Sequence, residues 1–378
     1  MEVTNANNQF ANKLYKAISK ITTENVFFSP LSVHTVLSMV YQGAAKETAE
    51  CLGETIGVPT KELAANGYNT ILNMLNNVDN VALHAANKIY VKEGYPLKSE
   101  FQKATAELFV SKTESVDFEN GKHAAESINS WVEDKTNKKI KDIVSPNDLD
   151  RYTRLILLNA IYFKGNWDKQ FQKENTNTET FYITSNKKID CQMMHITQHY
   201  YYYEDEQLDA RILEMKYVNQ NISTVVILPN TIDGIGDLDN KIVDADLSAI
   251  TQKAHPTKVK LSLPKFKIET CMNLKPLLKK IGLGIIFDEN RADFSEISES
   301  DEKLYVSQVI QKAFLEVNEE GSEAAAVTML KICKKKCIRR EPEPIIFIVD
   351  HPFIILLQIK DEDSKNTLFY GKIVDPCY

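Results

Sequence analysis

The chain has 378 residues, with 43% hydrophobic and 26% charged residues and a formal net charge of −7 at pH 7. This composition is typical of a globular protein with a large core. The acidic balance argues against a nucleic-acid-binding surface, and the lack of a run of about 18 apolar residues argues against a membrane-spanning helix. Six scattered cysteines are too few for a disulfide framework, so they do not indicate the compartment.

Hydrophobic periodicity predicts mainly helices in the first part of the chain. The apolar residues of 8–20 fall on one face, as in an amphipathic helix. A short buried strand is predicted at 25–30, and a helix to about residue 42 follows it, with Ser29 as the cap and Pro30 in the first turn. The other elements predicted here are helices 47–56, 61–76, 98–108 and 124–136 and a strand at 81–91.

From residue 155 onward the pattern is mainly that of strands. The predicted strands are 155–163, 179–183, 200–203, 210–217, 223–228, 259–268, 312–317, 345–349, 353–359 and 368–372. One further helix, at about 274–281, ends at Gly282. Since helices come first and strands later, with no βα alternation and no internal repeat, the sequence predicts an α+β protein.

The sequence contains no motif of a catalytic or metal site. Gly-x-Ser-x-Gly, His-Glu-x-x-His and P-loop patterns are absent, and Gly282 and Gly284 lack the third glycine of a dinucleotide-binding loop. His195 and His199 are four residues apart, but in a strand that spacing does not bring two rings to one metal. We therefore expect no metal, no cofactor and no enzymatic activity, which favours a binding role.

A sequon and two lysine clusters are the other patterns that could indicate a modification or a partner. Asn221-Ile-Ser223 is a sequon that would place an N-glycan on Asn221, although one such triplet is expected by chance in a chain of this length. Lysines also cluster at two places. They are expected to be solvated surface charge, with a polyanion site as the weaker interpretation. These lysines are Lys138, Lys139, Lys141, Lys187 and Lys188.

The segment 317–344 has an unusual composition. Residues 319–328 are almost all acidic or small, and six Lys and Arg residues follow between Lys331 and Arg340. Small residues allow a segment to lie between other backbones, whereas an exposed run of Lys and Arg is a substrate for trypsin-like proteases. The pattern indicates a segment that is cut by a protease and can then move.

Five motifs together resemble the serpin family over essentially the whole chain. They lie at 25–33, 158–167, 263–266, 350–353 and 369–376, in the family's order and spacing. The resemblance implies one serpin domain over 1–378, with about nine helices and three β-sheets. It also implies an exposed reactive-centre loop at about 319–344, between the central sheet and a small C-terminal sheet. Such a loop inserts into the central sheet as an added strand, behaviour for which this family is known.

The first part of the loop is similar to the hinge of inhibitory serpins. In a strand, alternate side chains share a face, so Ser322, Ala324, Ala326, Thr328 and Leu330 would face the core after insertion. Glu323 and Lys331 would then face solvent. The inward residues are uncharged, so insertion would bury no unpaired ion; a flexible linker is the alternative. The hinge residues are Glu319, Glu320, Gly321, Ser322, Glu323, Ala324, Ala325, Ala326, Val327 and Thr328.

The family spacing from Gly321 predicts cleavage between Lys335 and Lys336, with Lys334 and Lys336 as one-residue alternatives for the specificity residue. Counting back from His351 instead reaches Arg339, Arg340 or Glu341, which would make the loop several residues longer than a minimal one. A Lys or Arg at either position implies a serine protease with an acidic specificity pocket. The expected function is suicide inhibition of a trypsin-like serine protease through a covalent acyl complex. Inhibition of a dibasic-cutting proprotein convertase and a non-inhibitory carrier or chaperone role are the alternatives.

Cys333 and Cys337 flank the predicted bond. They are either two exposed thiols or a redox pair that tethers the cut ends. The family resemblance also places Ser29, Ser32 and Asn159 in the shutter beneath the central sheet, and Trp167 where the hinge first enters that sheet. Gln311 stands where the family often has histidine, and its amide can still bridge neighbours.

The resemblance also bears on partners and location. The helix 61–76, which binds heparin in some serpins, is almost free of cations, so activation by that route is not expected. We expect an extracellular monomer that has lost its signal peptide, with a cytoplasmic protein as the alternative.

Overall fold

The computed structural model describes residues 2–76, 81–322, 342–361 and 364–377. Eight α-helices occur in these ranges. None of them is both long enough and apolar enough to cross a membrane. The helices are α1 Glu2–Ser19, α2 Pro30–Gln42, α3 Lys46–Ile56, α4 Lys61–Asn76, α5 Ser99–Leu108, α6 Gly121–Lys135, α7 Ile235–Ile242 and α8 Lys275–Lys280.

Strands make up most of the second half of the described chain. The strands are β1 Val26–Phe28, β2 Val81–Lys92, β3 Glu114–Val116, β4 Leu155–Asn166, β5 Thr176–Thr184, β6 Lys187–Asp205, β7 Ala210–Lys216, β8 Ile222–Pro229, β9 His255–Pro264, β10 Phe266–Asn273, β11 Val306–Val317, β12 Gly321–Ser322, β13 Ile345–Ile348, β14 Phe353–Asp361 and β15 Ser364–Ile373. The predicted α+β class is confirmed.

The strands form two hydrogen-bonded sheets. The central sheet has the order β10-β11-β4-β2-β3, and β12 is an additional short strand on β4. The second sheet has the order β1-β15-β14-β8-β7-β6-β9-β13, with β5 on β6. The long strand β6 pairs with β5 near its start and with β7 near its end. Because β6 pairs with strands at both of its ends, the described strands form two sheets, where the family resemblance implies three.

Helix α2 lies beneath the central sheet and is buried on nearly every side. Its cap is the predicted one, because the Ser29 side chain accepts a hydrogen bond from the Ser32 amide at 3.2 Å. Helix α6 covers the opposite face. There Ile128 and Val132 of α6 belong to a second apolar cluster with Ile156 and Tyr162 of β4. The central sheet is thus enclosed by α2 on one face and α6 on the other.

Several predicted boundaries were wrong. Helix α1 begins six residues early, because polar Asn7 is buried and donates to the Asn366 side chain and the Thr367 carbonyl. The strand predicted at 259–268 is two strands, and the chain leaves β9 after Pro264 and pairs with β11 as β10. Strand β6 is far longer than the predicted 200–203, and α7 was not predicted.

Candidate functional site

The hinge begins where two central strands separate. Strands β4 and β11 pair in parallel from Leu155 with Val306 to Tyr162 with Phe314. Beyond that point the chain leaves β11 and turns back through the residues Asn318–Gly321, here called the hinge turn. The Asn318 amide donates to the Gly321 carbonyl at 2.9 Å. Strand β12 then pairs antiparallel with the end of β4. Residues 321 and 322 of the predicted hinge therefore already lie beside the end of β4, where it is no longer paired with β11.

Trp167 fixes the hinge turn from the β4 side. Its backbone amide donates to the Glu320 carbonyl at 3.0 Å, and its indole Nε1 donates to the Asn318 carbonyl at 3.0 Å. The indole is fully buried and stacks on Tyr217, with ring centroids 4.4 Å apart. A few residues on, the Phe171 amide donates to the Glu319 carbonyl at 2.9 Å. Three of the four carbonyls of the turn are thus held by the segment 167–171.

Ion pairs hold the two acidic residues of the hinge turn. Glu319 is buried, and its carboxylate lies 3.0 Å from Lys265 Nζ and accepts from the Thr176 hydroxyl at 2.9 Å. Burial raises the pKa of Glu319, but hydrogen bonds from its own backbone, Lys265 and Thr176 outweigh burial, so the pKa is lowered. Glu320 pairs with the largely exposed Lys173 at 2.8 Å. The Glu319 contact is the better shielded one, so it contributes more to fixing the turn.

Gly321 is the residue that lets β12 approach β4. Its φ is +151°, and a Cβ placed there would lie 2.0 Å from the Gly165 carbonyl oxygen and 2.6 Å from Asn166 Cα. Both contacts are with backbone, which cannot rotate away as a side chain can. Only glycine therefore fits this turn.

Beneath the centre of the same sheet lies a buried polar group, here called the shutter cluster: Ser29, Ser32, Asn87, Asn159 and Gln311. Gln311 links three elements. Its Oε1 accepts from the Ser29 amide at 3.0 Å, and its Nε2 donates to the Ser29 carbonyl at 2.9 Å and to Asn159 Oδ1 at 2.6 Å. Gln311 and Asn159 are register partners of β11 and β4. Their bond must break if these two strands are to part.

Asn87 of β2 was missed by the sequence analysis. Its side-chain oxygen accepts from the Ser32 hydroxyl at 2.8 Å and from the Asn159 amide. Asn87 and Asn159 are also direct register partners of β2 and β4. The signal that could have identified it is an amide between Ala86 and the apolar run Ile89–Val91 of a predicted strand.

On the opposite face, Lys88 of β2 connects the sheet to α6. The side chain is buried and pairs with Glu114. Its Nζ lies 4.4 Å from the ring centroid of Trp131, on α6, and 5.0 Å from that of Tyr90. This cation–π contact adds to the apolar cluster that holds α6 on the sheet.

Several predicted site residues lie outside the described residues. They are Glu323, Ala324, Ala325, Ala326, Val327, Thr328, Cys333, Lys334, Lys335, Lys336, Cys337, Arg339 and Arg340.

Other predicted positions lie at the surface of the described chain. Asn221 is exposed in the turn between β7 and β8. Lys138, Lys141, Lys187 and Lys188 are exposed, and Lys139 is partly exposed. The predicted helix 61–76 is α4, whose one cation, Lys61, pairs with Glu296 and donates to the Ala44 carbonyl at 2.6 Å.

A central sheet with a polar cluster at its centre and a hinge starting between two of its strands is a serpin arrangement. A family model described as serpin (serine protease inhibitor) matches residues 5–376. The chain therefore belongs to the serpin family.

Similar proteins agree with this assignment. The chain is 37% identical to serine protease inhibitor 42Dd of Drosophila melanogaster, over 99% of this chain and 98% of that one. It is 35% identical to antitrypsin of Bombyx mori, over 97% and 93%. The solved structure of Serpin48 from Tenebrio molitor superposes with a TM-score of 0.90 at 34% identity, covering 99% of this chain and 98% of that one. The predicted serpin fold is confirmed.

Proposed function

We propose that this serpin is a suicide-type inhibitor of trypsin-like serine proteases and is consumed as it acts. One observation carries the proposal: β4 and β11 are directly paired along most of their length, yet β12 already begins between them. In the resting sheet β4 and β11 are paired with each other, and β12 is a short strand on β4 just beyond the end of that pairing. Continuing that strand requires only that β4 and β11 separate further.

The register of β12 says where an inserting strand would lie. Gly321 and Ser322 pair with Asn166 and Gly165, so the same register would put Ala324 opposite Phe163, Ala326 opposite Ile161 and Thr328 opposite Asn159. Directly opposed residues of an antiparallel pair share a face. Phe163 and Ile161 belong to the main core, so small, uncharged residues would enter that core.

Thr328 has a particular place in this register. It would arrive beside Asn159, whose side-chain oxygen in the resting sheet accepts from Gln311. A threonine hydroxyl both donates and accepts. It can therefore occupy the position between Asn159 and Gln311 that opens when β4 and β11 separate, and insertion leaves no buried amide unpaired.

The proposed reaction is an acyl transfer that stops before hydrolysis of the ester. The protease serine attacks the carbonyl of Lys335, the bond to Lys336 breaks, and Lys335 remains as an ester on the protease. The freed hinge then extends β12. From Gly321 to Lys335 about 15 strand residues at about 3.3 Å each carry the protease about 50 Å. Distortion of the protease in this movement stops hydrolysis of the ester.

The basic loop supports the proposed target. Lys334, Lys335, Lys336, Arg339 and Arg340 all fit a pocket with a buried carboxylate. One relative bears the name antitrypsin. Arg339-Arg340 also fits a protease that cuts after paired basic residues.

The test is incubation with trypsin, followed by a denaturing gel and mass spectrometry of the released peptide. We expect a covalent complex that survives denaturation and a released peptide that begins at Lys336. Cleavage without a complex would overturn the proposal in favour of a non-inhibitory serpin. A peptide that begins at Glu341 would place the cut after Arg340 and contradict the predicted bond.

Two variants separate insertion from cleavage. Thr328→Arg would bury an unpaired charge beside Asn159, so it should be cut at the normal rate without forming a complex. Glu323→Arg changes charge at a position opposite the partly exposed Lys164 in the same register, and it should still form the complex. Equal complex formation by both variants would contradict the proposed register.

We also propose that the protein acts outside the cell as a monomer, which agrees with the exposed position of Asn221. Expression with a secretion signal should give a product whose mass falls on treatment with an N-glycosidase. Asn221→Gln should abolish that fall in mass. An untreated wild-type product with the unmodified mass would contradict the glycosylation part of the proposal.

A further inference from the structure

The C-terminal tail that follows β15 is fixed against β1. The side chain of Asn25, which precedes β1, accepts from the Val374 amide at 2.6 Å and from the Asp375 amide at 2.9 Å, and it donates to the Asp375 carbonyl at 2.7 Å. The Cys377 amide then donates to the Asp375 carboxylate at 2.9 Å. These bonds hold the tail in one direction up to its penultimate residue.

This direction brings Cys377 to the start of β6. Cys377 Sγ lies 3.5 Å from the carbonyl oxygen of Asp190, the residue directly before Cys191. Cys191 is buried and Cys377 is exposed, and both thiols are free in the structure. Burial raises the pKa of the Cys191 thiol to about 12, and Cys377, Glu179, Asp190 and Asp375 raise it further through their charges.

We propose that Cys191 and Cys377 form a disulfide bond that ties the C-terminal tail to β6. This pair differs from Cys333 and Cys337 of the loop, and its formation does not depend on whether the protein inhibits a protease. An extracellular location would favour the bond, because disulfides persist in oxidising compartments.

The oxidant is a small disulfide of the glutathione type. The Cys377 thiolate attacks one sulfur of this disulfide and releases one small thiolate. The Cys191 thiolate then attacks the Cys377 sulfur of the mixed disulfide and releases the second small thiolate. Each cysteine loses one proton, the two lose two electrons together, and the oxidant becomes two thiols. Because burial keeps Cys191 protonated at neutral pH, the second step should become faster as the pH rises.

The bond would change what happens after loop cleavage. A cut between residues 323 and 341 divides the chain. The C-terminal piece then carries β13, β14 and β15, which are held by strand pairing with β9, β8 and β1. Denaturation breaks such pairing but not a disulfide. The bond would therefore keep the C-terminal piece covalently attached to the rest of the molecule.

The first experiment uses the intact full-length protein. It is incubated with oxidised glutathione, the remaining thiols are alkylated under denaturing conditions, and the peptides are mapped by mass spectrometry. We expect one linked peptide pair containing Cys191 and Cys377, which disappears on reduction. Alkylation of both cysteines, or a Cys377 linkage to Cys271 instead, would overturn the proposal.

The second experiment cuts the loop of the oxidised protein by limited trypsin treatment and compares denaturing gels without and with reductant. Cys333→Ser removes the loop pair and should still retain the C-terminal piece until reductant is added. Cys333→Ser combined with Cys377→Ser should release it without reductant. Cys377 is exposed, so this substitution should leave the fold intact. Release from Cys333→Ser alone without reductant would contradict the bond.

Discussion

The Gln311 side chain ties β11 to both β4 and α2, so Gln311→Leu tests whether the shutter cluster keeps the central sheet closed. Leucine is of similar size but can neither donate nor accept. It removes the bond to Asn159 and both bonds to Ser29. The Ser29 carbonyl keeps its bond from the Val33 amide at 3.2 Å. The Ser29 amide and Asn159 Oδ1 lose their partners.

The size of the effect follows from these two groups. Each buried group without a partner costs about 1–3 kcal/mol. The added apolar surface of leucine offsets part of this cost, so we expect the closed sheet to lose about 3 kcal/mol in all. Because about 1.4 kcal/mol is a factor of ten, separation of β4 from β11 should become about 100-fold more frequent.

Two measurements check this prediction. Amide hydrogen exchange in β4 and β11 should be faster, and a synthetic peptide copying residues 323–332 should bind faster, because it adds as a strand to the opened sheet. Gln308→Leu is the matched control, since Gln308 lies on the same strand but bonds to the Asp148 carbonyl, away from the cluster. Equal exchange in both variants would refute the role given to Gln311.

Three further predictions concern other parts of the molecule. Gly321→Ala would clash with Gly165 and displace the hinge turn, so trypsin should cut more molecules per complex formed; an unchanged ratio would contradict the role of the turn. Burial lowers the pKa of His34 from 6.5 to about 4. Neutral His34 therefore contributes fully to the free energy of unfolding above pH 6.5, and this contribution should fall by about 3 kcal/mol as the pH drops to 4. Urea unfolding against pH measures this slope, and a His34→Gln variant that keeps the slope would refute it. Lys88→Met removes the cation over Trp131 but keeps most of the packing, so the copied hinge peptide should bind faster; slower binding would show that α6 does not restrain the sheet.

The sequence predicts the elements of this fold better than their partners. The cap of α2 and the small residues of the hinge are visible in the sequence because they depend on neighbours a few positions away. The ion pair of Glu319 with Lys265 is not visible, since its two residues are 54 positions apart and meet only through the sheet. The missed start of β6 has a local cause. Its alternation is interrupted because Lys187 and Lys188 are both exposed and Met193 and Met194 are both buried.

Whether Lys331 would face solvent after insertion depends on the packing of α6. Lys331 was expected to face solvent after insertion. Continued from β12, the register puts it opposite Ile156, which belongs to the cluster under α6. Periodicity assigns residues to two faces, but it does not say that a helix covers the second face. On the proposed mechanism, either α6 shifts or the lysine stem extends past it, and the charge reaches water at the edge.

The position of α6 affects how fast the strand can insert on the proposed mechanism. The apolar cluster under α6 includes Ile156, Leu158, Ala160 and Tyr162, which are alternate residues of β4. In the register of β12, the inserting strand would reach them after its first few residues have paired with β4. On the proposed mechanism, movement of α6 would then slow the later pairs. During that delay the ester on the protease would be exposed to water. The packing of one helix, far from the cleaved bond, would thus decide how often the protease escapes and how often it is trapped.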